Sequence, residues 1–240
     1  MVVDILLDFL NFYKMLIHER DPHYIFVAVP KTGTTSINNF LKYHHLMPYL
    51  TTKKCKWLSR DYHLSIMEIL RNYHTHIGCT GHRSNSVLIR TAKRFYKFAF
   101  HRNPWDRMVS FYTDYTTGPL HLRSWSSPLL KYKTFKEFVM DFNQSEWRHH
   151  KNFKPTCEYT HHNGVQIVDH IYMYDNFEQQ VFNLCEKLKL NFNLFRQGGL
   201  NRKAPREVDY KKYYNHDQPM IDAVAEAFKE DIKIFGDTFD

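Results

Sequence analysis

The sequence predicts an α/β fold: one domain, three layers deep, with a central parallel sheet covered by helices on both faces. Three observations predict it. Short apolar runs alternate along the chain with stretches of helical periodicity, the pattern of strands joined by helical crossovers. The chain has 240 residues, within reach of a single core. Apolar residues make up 43% and aromatic residues 16%, so a sizeable core is available, and with only 8 Gly the chain is neither repetitive nor disordered. The expected unit is therefore a single domain over 1–240, with no internal repeat or low-complexity segment.

The first strand is the run Tyr24-Ile25-Phe26-Val27-Ala28-Val29, and residues 36–46 read as the helix that follows. Between them lies Pro30-Lys31-Thr32-Gly33-Thr34-Thr35-Ser36, a tight loop with one Gly, one Lys and four hydroxyl residues. A strand, a small-residue loop and a helix N-terminus together form an anion site, because backbone N–H groups converge there and the helix dipole favours negative charge. Lys31 adds a mobile cation and the hydroxyls add neutral donors, so a phosphate or sulfate is the expected occupant. The loop is not a Walker A motif, since Lys31 precedes the single Gly. Read alone, it is also compatible with hydroxyls that only cap the helix.

The second strand is expected at Phe95–His101, running into Arg102-Asn103-Pro104-Trp105-Asp106-Arg107-Met108-Val109-Ser110-Phe111-Tyr112. Asn103 suits an N-cap, Pro104 the first helical position and Asp106 the first turn. Trp105, Met108, Val109 and Tyr112 follow i, i+3, i+4, i+7 and should face the core. Asn103, Arg107 (or Asp106) and Ser110 fall on another stripe, so Arg102 at the strand end and Ser110 two turns along can reach one ligand. A guanidinium and a hydroxyl aimed at one point suit a second phosphate. The plain alternative makes Arg102 a surface ion-pair residue and Ser110 a solvated one.

These two motifs, about seventy residues apart, resemble those of the sulfotransferases, and within them most closely the Golgi-type carbohydrate enzymes, including the heparan sulfate uronyl 2-O group, and their bacterial relatives. The resemblance runs from about Tyr24 to Phe239 and implies a P-loop-NTPase-like fold. It implies 3′-phosphoadenosine 5′-phosphosulfate (PAPS) as co-substrate and the 3′,5′-bisphosphate (PAP) as product. Lys31, Thr32, Gly33, Thr34, Thr35 and Ser36 would then contact the phosphosulfate, and Arg102 and Ser110 the 3′-phosphate. Further on, Val168–Phe177 resembles the family's strand and its acidic-Asn-apolar turn. Leu200-Asn201-Arg202-Lys203 resembles the basic loop closing over the nucleotide, which brings Asn201, Arg202 and Lys203 to the cofactor; the plain alternative is a solvated loop. Tyr213-Tyr214 and Asp231–Gly236 resemble the closing helix, with Asp217 or Gln218 at its start and Gly236 at its stop.

Sulfuryl transfer, by analogy with phosphoryl transfer, is mostly positioning and charge stabilisation along an in-line path. Lys31 is expected to stabilise the leaving oxygen. For the base that takes the acceptor's proton the expectation is His82, in Thr80-Gly81-His82-Arg83-Ser84, because imidazole accepts protons near neutral pH and this Gly-His pair resembles the segment of the uronyl 2-O enzymes. The Glu that other carbohydrate enzymes carry after the anion loop has no counterpart, as residues 36–48 hold no Asp or Glu. His101, His149 and His150 are the reserves. The acceptor is expected to be a hydroxyl, most naturally of a carbohydrate. The family's usual Pro-Gln before the acceptor-side segment stands here as Pro155-Thr156-Cys157, which leaves the acceptor type open. Residues 115–133 read as a long loop with Arg123 and Trp125 available to a sugar, and Thr134-Phe-Lys-Glu137 as a capping box.

A net charge of +8 calls for an anionic partner, and a polyanionic co-substrate or acidic glycan supplies one. The basic residues are scattered and no nucleic-acid module is present, so no nucleic-acid partner is expected. Four cysteines, Cys55, Cys79, Cys157 and Cys185, form no disulfide framework and read as free thiols, with one or two bridges allowed by Golgi relatives. His74, His76 and Cys79 lack a fourth partner, so no metal is expected. No stretch approaches a transmembrane span, and 1–22 reads as a helix packing on the domain. A cytoplasmic, soluble enzyme is expected, the alternative being a lumenal catalytic domain without the anchor of its Golgi relatives. The competing functional readings are a P-loop kinase with a degenerate loop, which requires an acidic Mg²⁺ ligand near it, and a non-catalytic nucleotide- or anion-binding module.

Overall fold

The computed structural model describes residues 24–43, 96–117, 127–199 and 209–239. The elements are β1 (Tyr24–Val27), α1 (Thr34–Tyr43), β2 (Tyr96–His101), α2 (Pro104–Thr117), α3 (Phe135–Phe142), α4 (Cys157–Thr160), β3 (His161–His162), β4 (Val165–Gln166), β5 (His170–Met173), α5 (Phe177–Leu188), α6 (Phe192–Leu194), α7 (Lys211–Tyr214), α8 (Gln218–Ala227) and α9 (Lys229–Phe235). Short 3₁₀ turns at Ser127–Lys131, Glu146–His149 and Lys151–Phe153 and a π turn at Phe195–Gly199 link them.

The molecule is mixed α/β. Three strands form a parallel sheet in the order β1-β2-β5, with Val27 opposite Ala99 and His101 opposite Met173. The pleat sends alternate side chains to opposite faces. On one face Phe98, Phe100 and Tyr172, with Phe26 beside them, meet Ile37, Phe40 and Leu41 of α1 and Val181, Leu184 and Leu188 of α5. The rings stack in register, Phe26 on Phe98 at 5.0 Å and Phe100 on Tyr172 at 5.3 Å. On the other face Val27, Val29 and Ala99 meet Tyr159 and Val168. Both faces are thus covered, which is what near-continuous apolar strands require.

The register puts three strand ends on one edge. Pro30-Lys31 follows β1, Arg102 follows β2, and Tyr174 follows β5. Open parallel sheets hold ligands at that edge. A further core lies beneath α2, α3 and α8, where Trp105, Met108 and Val109 are buried and Tyr112 packs against them. That is the α2 face expected from the spacing. The capping box also forms: Glu137 N–H donates to Thr134 Oγ1 at 3.1 Å, and the Glu137 carboxylate accepts from Lys133 N–H at 2.7 Å.

Several boundaries differ. The first helix begins at Thr34 rather than Ser36. The expected loop at 115–133 is helical as far as Thr117 and turns again at Ser127–Lys131, because Tyr115 is buried against Phe111 and Phe153 and extends α2 by another turn. Arg123 and Trp125 lie outside the described residues. The closing helix is two helices, broken at Phe228 (φ −120°, ψ 25°), whose ring turns inward to stack on Phe142. Gly236 ends it in the left-handed region, as expected of a stop signal. The hairpin β3–β4 had no strong strand pattern in the sequence. The expected helix at 1–22 and Cys55, His74, His76 and Cys79 fall outside the described residues. Cys157 and Cys185 are free thiols. Among the described residues no helix is long and apolar enough to cross a membrane.

Candidate active site

The loop after β1 turns sharply. Lys31 (φ 66°) and Gly33 (φ 82°) both occupy the left-handed region. At Gly33 the reason is also steric: a Cβ there would lie 2.5 Å from Phe177 Cζ and 3.2 Å from Tyr174 Cε2. Only glycine lets the loop pass this close to the turn that follows β5. Lys31 has a Cβ, so its conformation is held against a cost of about 1–2 kcal/mol. Two arginines hold it. Arg107 Nε–H donates to the Pro30 carbonyl at 3.0 Å, and Arg102 Nη1–H donates to the Lys31 carbonyl at 3.1 Å.

Two of the loop hydroxyls turn back onto the end of the strand. Thr32 and Thr34 both donate through Oγ1 to the Val29 carbonyl, at 2.9 and 2.5 Å. Those hydroxyl protons are therefore committed to closing the turn, and donation to an anion at these positions falls to backbone N–H groups. Thr35 is exposed and Ser36 half-buried in the first turn of α1, which opens with Ile37 N–H on the Gly33 carbonyl at 3.1 Å. Helix first turns of this kind direct N–H groups at anions.

The two cations are both tethered to α2. Arg102 grips the Asp106 carboxylate with two bonds, Nε to Oδ2 at 2.6 Å and Nη2 to Oδ1 at 2.7 Å, while its plane lies 4.3 Å over the Tyr174 ring. Lys31 Nζ meets Asp114 Oδ2 at 2.9 Å. Asp106, Ser110 and Asp114 are spaced i, i+4, i+8, one stripe of the helix. Asp106 and Asp114 are thus separated by about 12 Å along the axis, with half-buried Ser110 midway. Each of the two cations thus has a carboxylate partner, and an anionic ligand would have to compete with it. The sequence offered Asp106, as the alternative to Arg107, on one stripe with Ser110; Asp114 was missed, and the i, i+4, i+8 spacing was the signal that could have found it.

His101 is built into the core. It is fully buried, its ring stacks on Phe235 at 3.8 Å, Nδ1 lies 3.0 Å from Thr156 Oγ1 and Nε2 lies 2.8 Å from Asp237 Oδ2. Both nitrogens thus have side-chain partners, which tie the end of β2 to the segment before α4 and to the residues after α9. Among the other reserves, His150 caps the Lys151–Phe153 turn through Nδ1, and His149 is exposed beside a cavity that it lines with Arg148, Lys154 and Glu158. Arg107 joins that cavity's segment to the anion loop, because its Nη2–H donates to the Lys154 carbonyl at 2.9 Å. His82, Asn201, Arg202 and Lys203 lie outside the described residues. Among the described residues no cluster of three or more His, Cys, Asp or Glu side chains is arranged to hold a metal.

The chain belongs to the sulfotransferase family. Its residues 14–239 match the model of that family, nearly the whole of the chain and all four strand-end residues discussed above. It is therefore a sulfotransferase, an enzyme that moves sulfuryl groups to an acceptor. No curated protein and no solved structure matches it.

Proposed function

We propose that this sulfotransferase takes its sulfuryl group from PAPS and passes it, by in-line displacement, to a hydroxyl of a carbohydrate, within a three-layer, P-loop-like domain. The observation that carries the reading is the pairing of Lys31 and Arg102 at neighbouring strand ends, with their side chains reaching carboxylates two helical turns apart. The donor, when bound, supplies the sulfuryl group and a phosphate that leaves. The N–H groups of the loop from Thr32 to Ser36 would hold the 5′ end by its non-reacting oxygens. Lys31 would neutralise charge on the oxygen that parts from sulfur. Arg102 and Ser110 would hold the 3′-phosphate, where Arg102's two-bond grip on Asp106 is the geometry a phosphate also accepts. Asn201, Arg202 and Lys203 would close over the nucleotide, and His82 would take the acceptor's proton. The polar cavity lined by Arg148, His149, Lys154 and Glu158, which the Arg107 bridge links to the loop, would offer a carbohydrate both hydrogen-bond donors and acceptors.

Calorimetry with PAP against ATP tests this. Tight PAP binding, weak ATP binding and no effect of EDTA support it; the reverse order points to a kinase. Radiolabelled sulfate uptake by a glycan panel tests the acceptor, and a His82→Ala enzyme of full activity would remove that base.

A further inference from the structure

The residues that follow α9 hold both chain neighbours of Arg102. Gly236 leads the chain out of the helix in the left-handed region, at φ 72°. Asp237 Oδ2 then stands 2.8 Å from His101 Nε2, with side chains 5% and 0% exposed. The other nitrogen of that ring meets Thr156 Oγ1 at 3.0 Å, and Thr156 is itself held through its N–H by Asp231 of α9. On the far side of Arg102, Asn103 Nδ2–H donates to the Thr238 carbonyl at 2.8 Å. Phe239 completes the contact, edge-on to Trp105 at 5.8 Å and to Tyr214 at 5.0 Å. Asn103 has a second duty, since its Oδ1 accepts Trp105 N–H at 3.1 Å and so caps α2. The Arg102 guanidinium answers to Asp106, the Lys31 carbonyl and the Tyr174 ring, but its backbone lies between two residues pinned to the same short segment. A binding side chain keeps its place only as well as the residues behind it do. Asp237 also carries its negative charge to this end of the site: burial first, then Asp106 and Asp237, push up the pKa of Asp175, beside Tyr174. That charge opposes an anion, so any help Asp237 gives to binding comes from its bond to His101.

We propose that Asp237 and Asn103 are positioning residues: through them the segment after α9 clasps the turn from β2 to α2 and sets where Arg102 meets the second anionic group of the donor. The proposal rests on the PAPS reading above and adds to it residues that act through Arg102. The clasp bears on one end of the nucleotide. The 5′ end is left to the loop after β1, whose turn is closed by Thr32, Thr34 and Arg107. A displaced Arg102 is therefore felt chiefly at the 3′-phosphate.

The test measures PAP and adenosine 5′-phosphate binding by calorimetry in Asp237→Ala, Asp237→Asn and Asn103→Ser; the second nucleotide lacks the 3′-phosphate. Asp237→Ala removes the bond to His101. Asn103→Ser keeps a capping hydroxyl while losing the donor to Thr238. Each should bind PAP about two- to tenfold more weakly, the worth of one hydrogen bond, with adenosine 5′-phosphate binding unchanged. Asp237→Asn loses the charge but keeps an oxygen for His101, and should bind PAP at least as well as the unaltered protein. Equal weakening toward both nucleotides, the mark of a structural role alone, overturns the proposal. So does PAP binding that holds or rises in either Asp237→Ala or Asn103→Ser, or an Asp237→Asn protein as weak as Asp237→Ala. Should Asp237→Ala fail to fold, Asn103→Ser decides. Failure of the underlying reading looks different: the unaltered protein would bind PAP no better than adenosine 5′-phosphate, which sinks both.

Discussion

The Nε–H of Arg107 donates to the Pro30 carbonyl at 3.0 Å from a side chain with no solvent exposure. The same guanidinium reaches Lys154 through Nη2 at 2.9 Å and points Nη1, which has no hydrogen-bond partner among the described residues, toward Asp231 at 4.0 Å. Asp231 in turn accepts the backbone N–H groups of Thr156 and Cys157 at 2.6 and 2.8 Å. One cation thereby ties the anion loop, the segment before α4 and helix α9. Phe111 and Phe228 flank it at 5.1 and 5.8 Å. Burial pushes the guanidinium's pKa down and the Asp231 carboxylate opposes that; arginine starts so far above neutral that it stays charged.

Arg107→Met should therefore destabilise the protein by about 3–5 kcal/mol, since it strands Asp231 and two carbonyls. Arg107→Lys keeps the charge but cannot span Pro30 and Lys154 together, and should cost less. Urea unfolding measures both. A loss in Arg107→Met no greater than about 1 kcal/mol, the ordinary cost of a point change, would show that the bridge is idle.

Gly33→Ala should fail for two separable reasons. The left-handed φ of 82° costs alanine about 1 kcal/mol. The clash of its Cβ with Phe177, at 2.5 Å, adds about 1–3 kcal/mol of overpacking. Phe177→Leu in the same chain should recover the second part and not the first. A double-mutant cycle on unfolding free energies reads the coupling; simple additivity would mean that loop and ring do not touch.

What the sequence disclosed follows from where the physics is local. The Lys31–Gly33 loop, the α2 core face, the Thr134–Glu137 cap and the Gly236 stop depend on near neighbours in the chain, and each formed. The Arg107 bridge, the Asp114 contact and the engaged state of His101 join residues 77, 83 and 136 positions apart, which periodicity cannot see. Arg107 even lies off the stripe expected to face the core, yet it is buried, between Phe111 of its own helix and Phe228 of another segment. The Phe228 break was hidden for the same reason: its ring answers to Phe142, on another helix.

Acid should loosen the β3 end of the fold through His161. Burial pushes its pKa below the usual histidine range, and Asp231 only partly offsets this. A depressed folded-state pKa means that the neutral ring is favoured in the fold. Its contribution is present above the unfolded value of about 6.5 and is lost as pH falls through the folded one. The melting temperature should decline from pH 7.5 to pH 5, and His161→Gln should decline less. Parallel declines in the two proteins would clear His161 of this role.

The two described thiols should resist alkylation while the fold holds. Cys185 lies on the buried face of α5 among Val181, Leu184 and Leu188, and burial pushes its pKa up to about 12. Burial also raises Cys157, with the Asp231 carboxylate adding to it. Only the thiolate attacks an alkylating agent, and a free cysteine titrates near 8.5. At pH 8 the Cys185 thiolate fraction is thus smaller than that of a free thiol by about three powers of ten, before any steric protection. Iodoacetamide at pH 8 followed by peptide mapping should leave Cys157 and Cys185 unmodified in the native protein and label both in urea. Rapid native labelling of Cys185 would mean that α5 does not stay seated on the sheet, and that Phe177, at its first turn, does not fix the space above Gly33.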